Sequence, residues 1–170
     1  MKSKTRPAAE KISNPALKDF PWLIYPFFMV HMLMFGWSGF EMAYGDDSPN
    51  IIFLMVHGGF AIFIYVQFYL AIFGKDEVKW MFINAGLGIL ALYSQLDWML
   101  QVFYDAEAQS YPFYLHIIPL TYFVLYTFLL RQFLLEVSGA KSDNARRALV
   151  DRSYIVVSLG IYLSTLVLTK

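Results

Sequence analysis

The feature that most constrains the fold is the uncharged stretch at residues 51–73, which reads IIFLMVHGGFAIFIYVQFYLAIF. An α-helix rises ~1.5 Å per residue and the hydrocarbon layer of a bilayer is ~30 Å thick, so ~20 apolar residues suffice to cross it. The stretch therefore predicts a transmembrane helix. Its one imidazole, His57, is followed directly by two glycines.

Composition places the whole chain in the same class. Hydrophobic residues make up 58% of the 170 residues and charged residues 15%, against roughly 45–50% and 25% in soluble domains. We therefore expect an all-α, polytopic transmembrane helical bundle at residues 21–170, preceded by a basic cytoplasmic tail at residues 1–20. The zero formal net charge argues against a nucleic-acid partner. The absence of cysteine excludes disulfides and thiolate chemistry.

Five apolar segments define the predicted spans. The fifth is the shortest and lies near the lower limit of ~17 residues for crossing a bilayer. No small-residue cleavage pattern accompanies the first segment, so we expect it to be retained as a signal anchor. The predicted spans are residues 21–44, 51–73, 80–104, 112–130 and 154–169.

Basic residues collect on one side of these spans. When the sides alternate from the N-terminus, all of the 13 Lys and Arg residues except Lys170 fall on the side of the N-terminal tail. The short loops on the other side are acidic and contain Asp46, Asp47, Asp105 and Glu107. Because Lys and Arg accumulate in cytoplasmic loops, we expect a plasma-membrane or inner-membrane protein with a cytoplasmic N-terminus and its C-terminus on the opposite side.

The basic segment at residues 142–150 has two interpretations. Ser142 or Asp143 can cap a short helix, whose arginines would suit an anionic membrane surface. A solvated loop is the simpler interpretation and the one we favour.

Carboxylate and imidazole side chains inside predicted spans are costly and are therefore candidates for function. Helical spacing places His31, Ser38 and Glu41 on one face of the first span, and we expect this face to point inward. The candidates are His31, Glu41, His57, Asp97 and His116.

Three of these candidates share a depth. At ~1.5 Å per residue, His57, Asp97 and His116 lie ~6–10 Å from the outer ends of their spans. We expect Asp97 to be buried and to have a partner such as Gln101 or one of the two histidines, because a charge facing lipid at this depth is unfavourable.

The favoured function is that of a non-catalytic subunit of a membrane-embedded complex. The sequence contains no HExxH, GxSxG, phosphate-binding loop or CxxC motif that would indicate an enzyme. Its expected partners are the lipid bilayer and other membrane subunits.

Two alternatives use the intramembrane histidines. One is a b-type haem or quinone electron-transfer subunit with His57 and His116 as axial ligands, because haem iron accepts neutral imidazole. The other is a site for a divalent metal or for proton relay, built from His57, Asp97 and His116. Glu41 is a further ligand candidate for the metal. Both alternatives require the two histidines to come close together.

Overall fold

The computed structural model describes residues 24–45 and 49–168, and within these ranges the chain forms six helices and no strand. The all-α prediction is therefore confirmed. The tail at residues 1–20, the acidic residues Asp46 and Asp47, and Lys170 lie outside the described residues. The helices are α1 (Ile24–Tyr44), α2 (Ile51–Phe73), α3 (Lys75–Leu87), α4 (Ile89–Tyr104), α5 (Phe113–Val137) and α6 (Asn144–Leu168).

Two of these helices, α2 and α5, are long and apolar enough to cross a membrane, judged by length and composition alone. Their most apolar stretches have mean hydropathies of 2.0 and 1.7. They correspond to the second and fourth predicted spans.

The third predicted span, residues 80–104, is interrupted. Gly88 adopts φ −97° and ψ 8°, and it separates α3 from α4. Glycine weakens a helix because it loses more backbone freedom on folding than any other residue. The prediction of one continuous helix is therefore wrong at this point.

Helix α5 lies at the centre of the fold and packs against each of the other five helices. Its most extensive contact is with α1. Tyr25 at the start of α1 donates a hydrogen bond to Glu136 near the end of α5, whereas Tyr44 at the end of α1 meets His116 near the start of α5. The two helices are therefore antiparallel.

Helix α2 runs parallel to α5. Gly58 packs against Ile118, and the Tyr69 hydroxyl donates to the Leu125 carbonyl across 3.2 Å. A Cβ atom at Gly58 would lie 2.7 Å from Ile118 Cγ2, so this approach requires glycine. Close packing, the commoner role of small residues between membrane helices, accounts for this position.

One turn of α2 is a π-helix, Leu54–Gly58, and it contains His57. The preceding turn is capped by Asn50, whose side chain accepts a hydrogen bond from the Phe53 N–H across 3.0 Å. Single π-helical turns are rare and occur frequently at functional sites.

The segment 142–150 is helical. The Asp143 carboxylate accepts hydrogen bonds from the backbone N–H groups of Ala145 (2.9 Å) and Arg146 (3.3 Å), which is an N-cap. The favoured prediction of a solvated loop is wrong because this cap starts α6 at Asn144, well before the predicted fifth span.

Candidate functional site

Polar side chains gather at the two ends of α5, and the end near its N-terminus holds His116. This side chain is 1% exposed. Its Nδ1 and the Tyr44 hydroxyl are 2.6 Å apart, which joins α1 to α5 by a buried hydrogen bond. The rings of Tyr44, Tyr93 and Phe113 pack around the imidazole. We call this region the His116 end.

Asp97 of α4 lies at the same end and is half-buried. Its carboxylate accepts hydrogen bonds from the Gln101 side chain (2.8 Å) and from the Ala108 backbone N–H (2.7 Å). The expectation that Asp97 has a partner is confirmed with Gln101. The carboxylate thereby fastens the segment between α4 and α5 to α4.

The polar face of α1 points outward. His31, Ser38 and Glu41 are all exposed, so the prediction of an inward polar face is wrong. Glycine at position 39 and the apolar face next to it pack against α5 instead, with Gly39 close to the Tyr122 ring. Glu41 accepts a hydrogen bond from the Tyr104 hydroxyl across 2.8 Å.

His57 is also exposed, although the adjacent Gly58 is buried against α5. Its ring stacks on Phe53, with centroids 5.2 Å apart and planes 3° from parallel. No hydrogen bond within the described residues involves the His57 ring. The His57 ring therefore lies outside the face of α2 that packs against α5, although the next residue lies on that face.

These surroundings bear on the two alternatives that need a histidine pair. Helices α2 and α5 do pack together, as axial ligation of a haem would require. His116, however, is enclosed by aromatic rings, whereas His57 is exposed, so the haem hypothesis stays a prediction that the surroundings of the two rings do not favour. Across the described residues no group of three His, Asp or Glu side chains is placed to hold a metal ion. The fold does not bring together the four predicted ligands His57, Asp97, His116 and Glu41 as a metal site.

The other end of α5 holds an ionic cluster that the sequence did not reveal, and we call it the Glu77 cluster. The Glu77 carboxylate at the start of α3 accepts hydrogen bonds from Arg131 (3.1 Å), Gln132 (3.0 Å) and Arg147. Arg131 also donates to Asp151 of α6 across 2.8 Å. The sequence offered one signal, since all five residues lie on the predicted cytoplasmic side.

The Glu77 cluster is electrically balanced. Burial would raise the pKa of the Glu77 carboxyl, but the hydrogen bonds from Arg147, Gln132 and Arg131 outweigh it and hold this pKa below its usual value. Arg147, expected to suit a membrane surface, is therefore committed to a partner within the chain.

A cleft of about 190 Å³ opens between α1, α4 and α5. At the end of the cleft nearer His116, Trp37 contacts Phe103 (4.9 Å between centroids) and Phe40 contacts Tyr104 (5.6 Å). Among the described residues, no charged side chain lines it. The lining consists of Met32, Leu33, Gly36, Trp37, Phe40, Leu92, Gln95, Leu96, Met99, Pro119, Leu120, Tyr122, Phe123 and Tyr126.

Within residues 24–45 and 49–168 the chain is all-helical, with two helices long and apolar enough to cross a membrane and with polar clusters at both ends of the central helix. No protein-family model, no curated protein and no solved structure matches the chain.

Proposed function

We propose that the chain is a five-span membrane protein that acts as a non-catalytic subunit of a membrane-embedded complex, with its N-terminus in the cytoplasm. The observation that carries the proposal is the exposed His57 imidazole, which lies on a helix apolar enough to cross a bilayer.

The direction of the helices supports five spans. Tyr25, Glu77 and Arg131 lie at one end of the fold, whereas Tyr44, Tyr104 and His116 lie at the other. Helices α1, α2 and α5 each run between these ends, and α3 and α4 together make one further crossing. Helix α6 starts from the Glu77 cluster and supplies the fifth.

The surface of α2 supports a membrane environment. Only 17% of its most apolar stretch is buried within the chain, against 50% for α5. Large apolar side chains such as Ile52, Val56 and Phe60 are exposed along it. A face of this kind is stable in contact with acyl chains or with another apolar helix.

The exposed imidazoles favour a protein partner over lipid alone. A polar side chain that faces hydrocarbon is unfavourable, and interhelical hydrogen bonds relieve that cost. His57 and His31 both project from apolar helices, and neither imidazole ring forms a hydrogen bond with the described residues. A partner helix that supplies a hydrogen-bonding group at the depth of His57 would satisfy the first of them.

The test is the mass of the particle extracted from native membranes in lipid nanodiscs. We expect the wild-type particle to exceed one chain of 19.7 kDa. We expect His57→Leu to weaken retention of the partner about threefold, the effect of one interhelical hydrogen bond of ~0.6 kcal/mol. His57→Asn, which keeps a donor and an acceptor, should retain the partner.

If His57 faced lipid, His57→Leu would have the opposite effect on the particle. Leucine would then leave the particle unchanged or stabilise it, because a polar group would leave the hydrocarbon. That result, or a wild-type particle containing one chain only, would contradict the proposed role as a subunit.

A further inference from the structure

We infer that the cleft between α1, α4 and α5 is a binding site for a neutral lipid, with a hydrocarbon chain along the cleft and a small uncharged head group, a hydroxyl or carbonyl, at Gln95. The inference rests on the membrane location proposed above.

The shape of the cleft indicates a chain-like occupant. Helix α5 forms the floor, α1 and α4 form the walls, and the Trp37 ring, which contacts Phe103, lies at one end. An apolar cavity of roughly 150 Å³ is enough to bind benzene, so about 190 Å³ accommodates a stretch of hydrocarbon. A helix with its side chains is ~10–12 Å across and is too wide for this space.

The chemistry of the lining indicates a neutral occupant. The described part of the lining includes no Asp, Glu, Lys, Arg or His, so an ionic head group would be desolvated there without a counter-charge. Gln95 carries the only side-chain amide among the described lining residues and is half-buried. This amide can donate to a carbonyl or accept from a hydroxyl.

The depth of Gln95 separates this ligand from ordinary phospholipid. Gln95 precedes the last residue of α4, Tyr104, by nine positions, which places it ~13 Å from the His116 end. In a hydrocarbon layer ~30 Å thick this is close to the midplane. A charged phosphate group stays at the interface, whereas a hydroxyl or carbonyl at this depth finds its hydrogen bond at Gln95.

Two tryptophans of equal exposure provide the measurement. Trp37 lines the cleft and is 41% exposed, whereas Trp98 lies outside the lining and is 40% exposed. Single-tryptophan chains that keep one or the other are reconstituted in bilayers. They are titrated with a dibrominated fatty alcohol, whose bromines quench tryptophan fluorescence at short range.

We expect quenching of Trp37 to saturate at a low fraction of the alcohol, and quenching of Trp98 to rise in proportion to it. Gln95→Leu should raise the half-saturating fraction about fivefold, the effect of one lost hydrogen bond. Brominated phosphatidylcholine with the same bromine content should quench both tryptophans in proportion.

Two helical glycines provide matched variants. A Cβ at Gly36 would lie 3.7 Å from Tyr122 Cβ at the cleft floor, and a Cβ at Gly59 would meet nothing within 4 Å. Gly36→Leu fills the cleft and should abolish saturation, whereas Gly59→Leu should preserve it. If Gly36→Leu fails to fold, Leu92→Phe replaces it. This variant fills the cleft from the α4 wall and should likewise abolish saturation.

The possible outcomes separate this inference from the proposed membrane location. Proportional quenching of both tryptophans by the alcohol would overturn the binding site and leave the membrane location standing. Weaker quenching of Trp37 than of Trp98 would also overturn it, because protein would then cover the cleft. Equal saturation by phosphatidylcholine would overturn the neutral head group. No quenching of either tryptophan would overturn both proposals.

Discussion

Tyr44 and His116 form a hydrogen bond that is buried on both sides and is made between helices distant in the chain. A buried polar group that loses its partner costs ~1–3 kcal/mol, more than the net gain of an average hydrogen bond. The pair is therefore a strong determinant of how α1 and α5 are aligned.

We expect Tyr44→Phe to lower the free energy of unfolding by about 2 kcal/mol, because it leaves the His116 nitrogen buried and unpaired. The measurement is denaturant-induced unfolding in detergent micelles. Tyr104→Phe is the matched control, since it removes the hydrogen bond to the exposed Glu41 and should cost less than about 1 kcal/mol. Equal losses in the two variants would contradict a special role for the buried pair.

A second residue-scale prediction compares two adjacent glycines. Gly58→Ala places a Cβ 2.7 Å from Ile118, and overpacking of this kind costs ~1–3 kcal/mol. Gly59→Ala meets open space and should be neutral or stabilising by up to ~1 kcal/mol, because alanine restricts the unfolded chain. Thermal unfolding of the two variants measures the difference. A loss in Gly58→Ala that Ile118→Ala does not relieve in the double variant would argue against the steric explanation.

At the scale of helices, the Glu77 cluster fastens the start of α6 to α3 and α5. None of the α6 side chains whose exposure is described is buried. Its position therefore depends heavily on Arg147 and Asp151, which reach Glu77 directly and through Arg131.

We expect Glu77→Gln to destabilise the chain by about 2 kcal/mol, since it replaces charge-assisted hydrogen bonds to two arginines with neutral ones. Amide hydrogen exchange should rise first in the initial turns of α6. Asp76→Asn removes a neighbouring exposed acid and serves as the control. If Asp76→Asn accelerates exchange in α6 as much, the effect belongs to net charge and not to the cluster.

The lowered pKa of Glu77 predicts that the stability of the fold depends on pH. The folded pKa of Glu77 lies below its unfolded value of 4.5, so its contribution is complete above that value and is lost as the pH falls through the folded pKa. Unfolding followed between pH 6 and pH 3 should show a decline in stability below about pH 4.5 that is shallower in Glu77→Gln. A parallel decline in both chains would show that other carboxylates are responsible.

Much of the helical pattern follows from hydropathy, because uninterrupted apolar stretches such as 51–73 have few alternatives to a helix. The exceptions arise where local chemistry decides. Gly88 breaks a stretch whose apolar content suggests continuity, and Asp143 starts a helix in a stretch whose charge suggests a loop. Asn50 begins α2 at the predicted residue because cap and apolar run coincide there.

The directions of side chains are less predictable from the sequence than the positions of the helices. Depth along a helix follows from counting residues, and Asp97 and His116 do lie at the same end of the fold. The direction in which a side chain points around the helix axis depends on which face of the helix packs against its neighbour. Gly39 and Gly58 decide this for α1 and α2, and they turn His31 and His57 outward. The residues of the Glu77 cluster lie on three different helices, and so do those of the cleft. No single stretch of sequence therefore contains a pattern that predicts either of them.

At the scale of the whole molecule, the paired ends of the helices make the proposed topology testable. Reporter fusions after Asp76 and Lys141 should respond as cytoplasmic, and a fusion after Asp105 should respond as external. The break at Gly88 makes Asp105 the critical position. If α3 and α4 entered and left the membrane on the same side, Asp105 would respond like Asp76, and the five-span topology would be wrong.

The central position of α5 has a consequence for biosynthesis. Tyr44 and His116 are separated by 72 residues, so the helix that packs most extensively against α1 is made long after it. At ~5–20 residues per second, α1 waits roughly 4 to 14 s for this contact. By the end of that interval the ribosome has delivered four helices, α1 to α4, without α5, against which all of them pack. Until α5 is made, α1 to α4 lack their shared packing partner, and in the proposed membrane location we expect them to rely on the insertion machinery during that time.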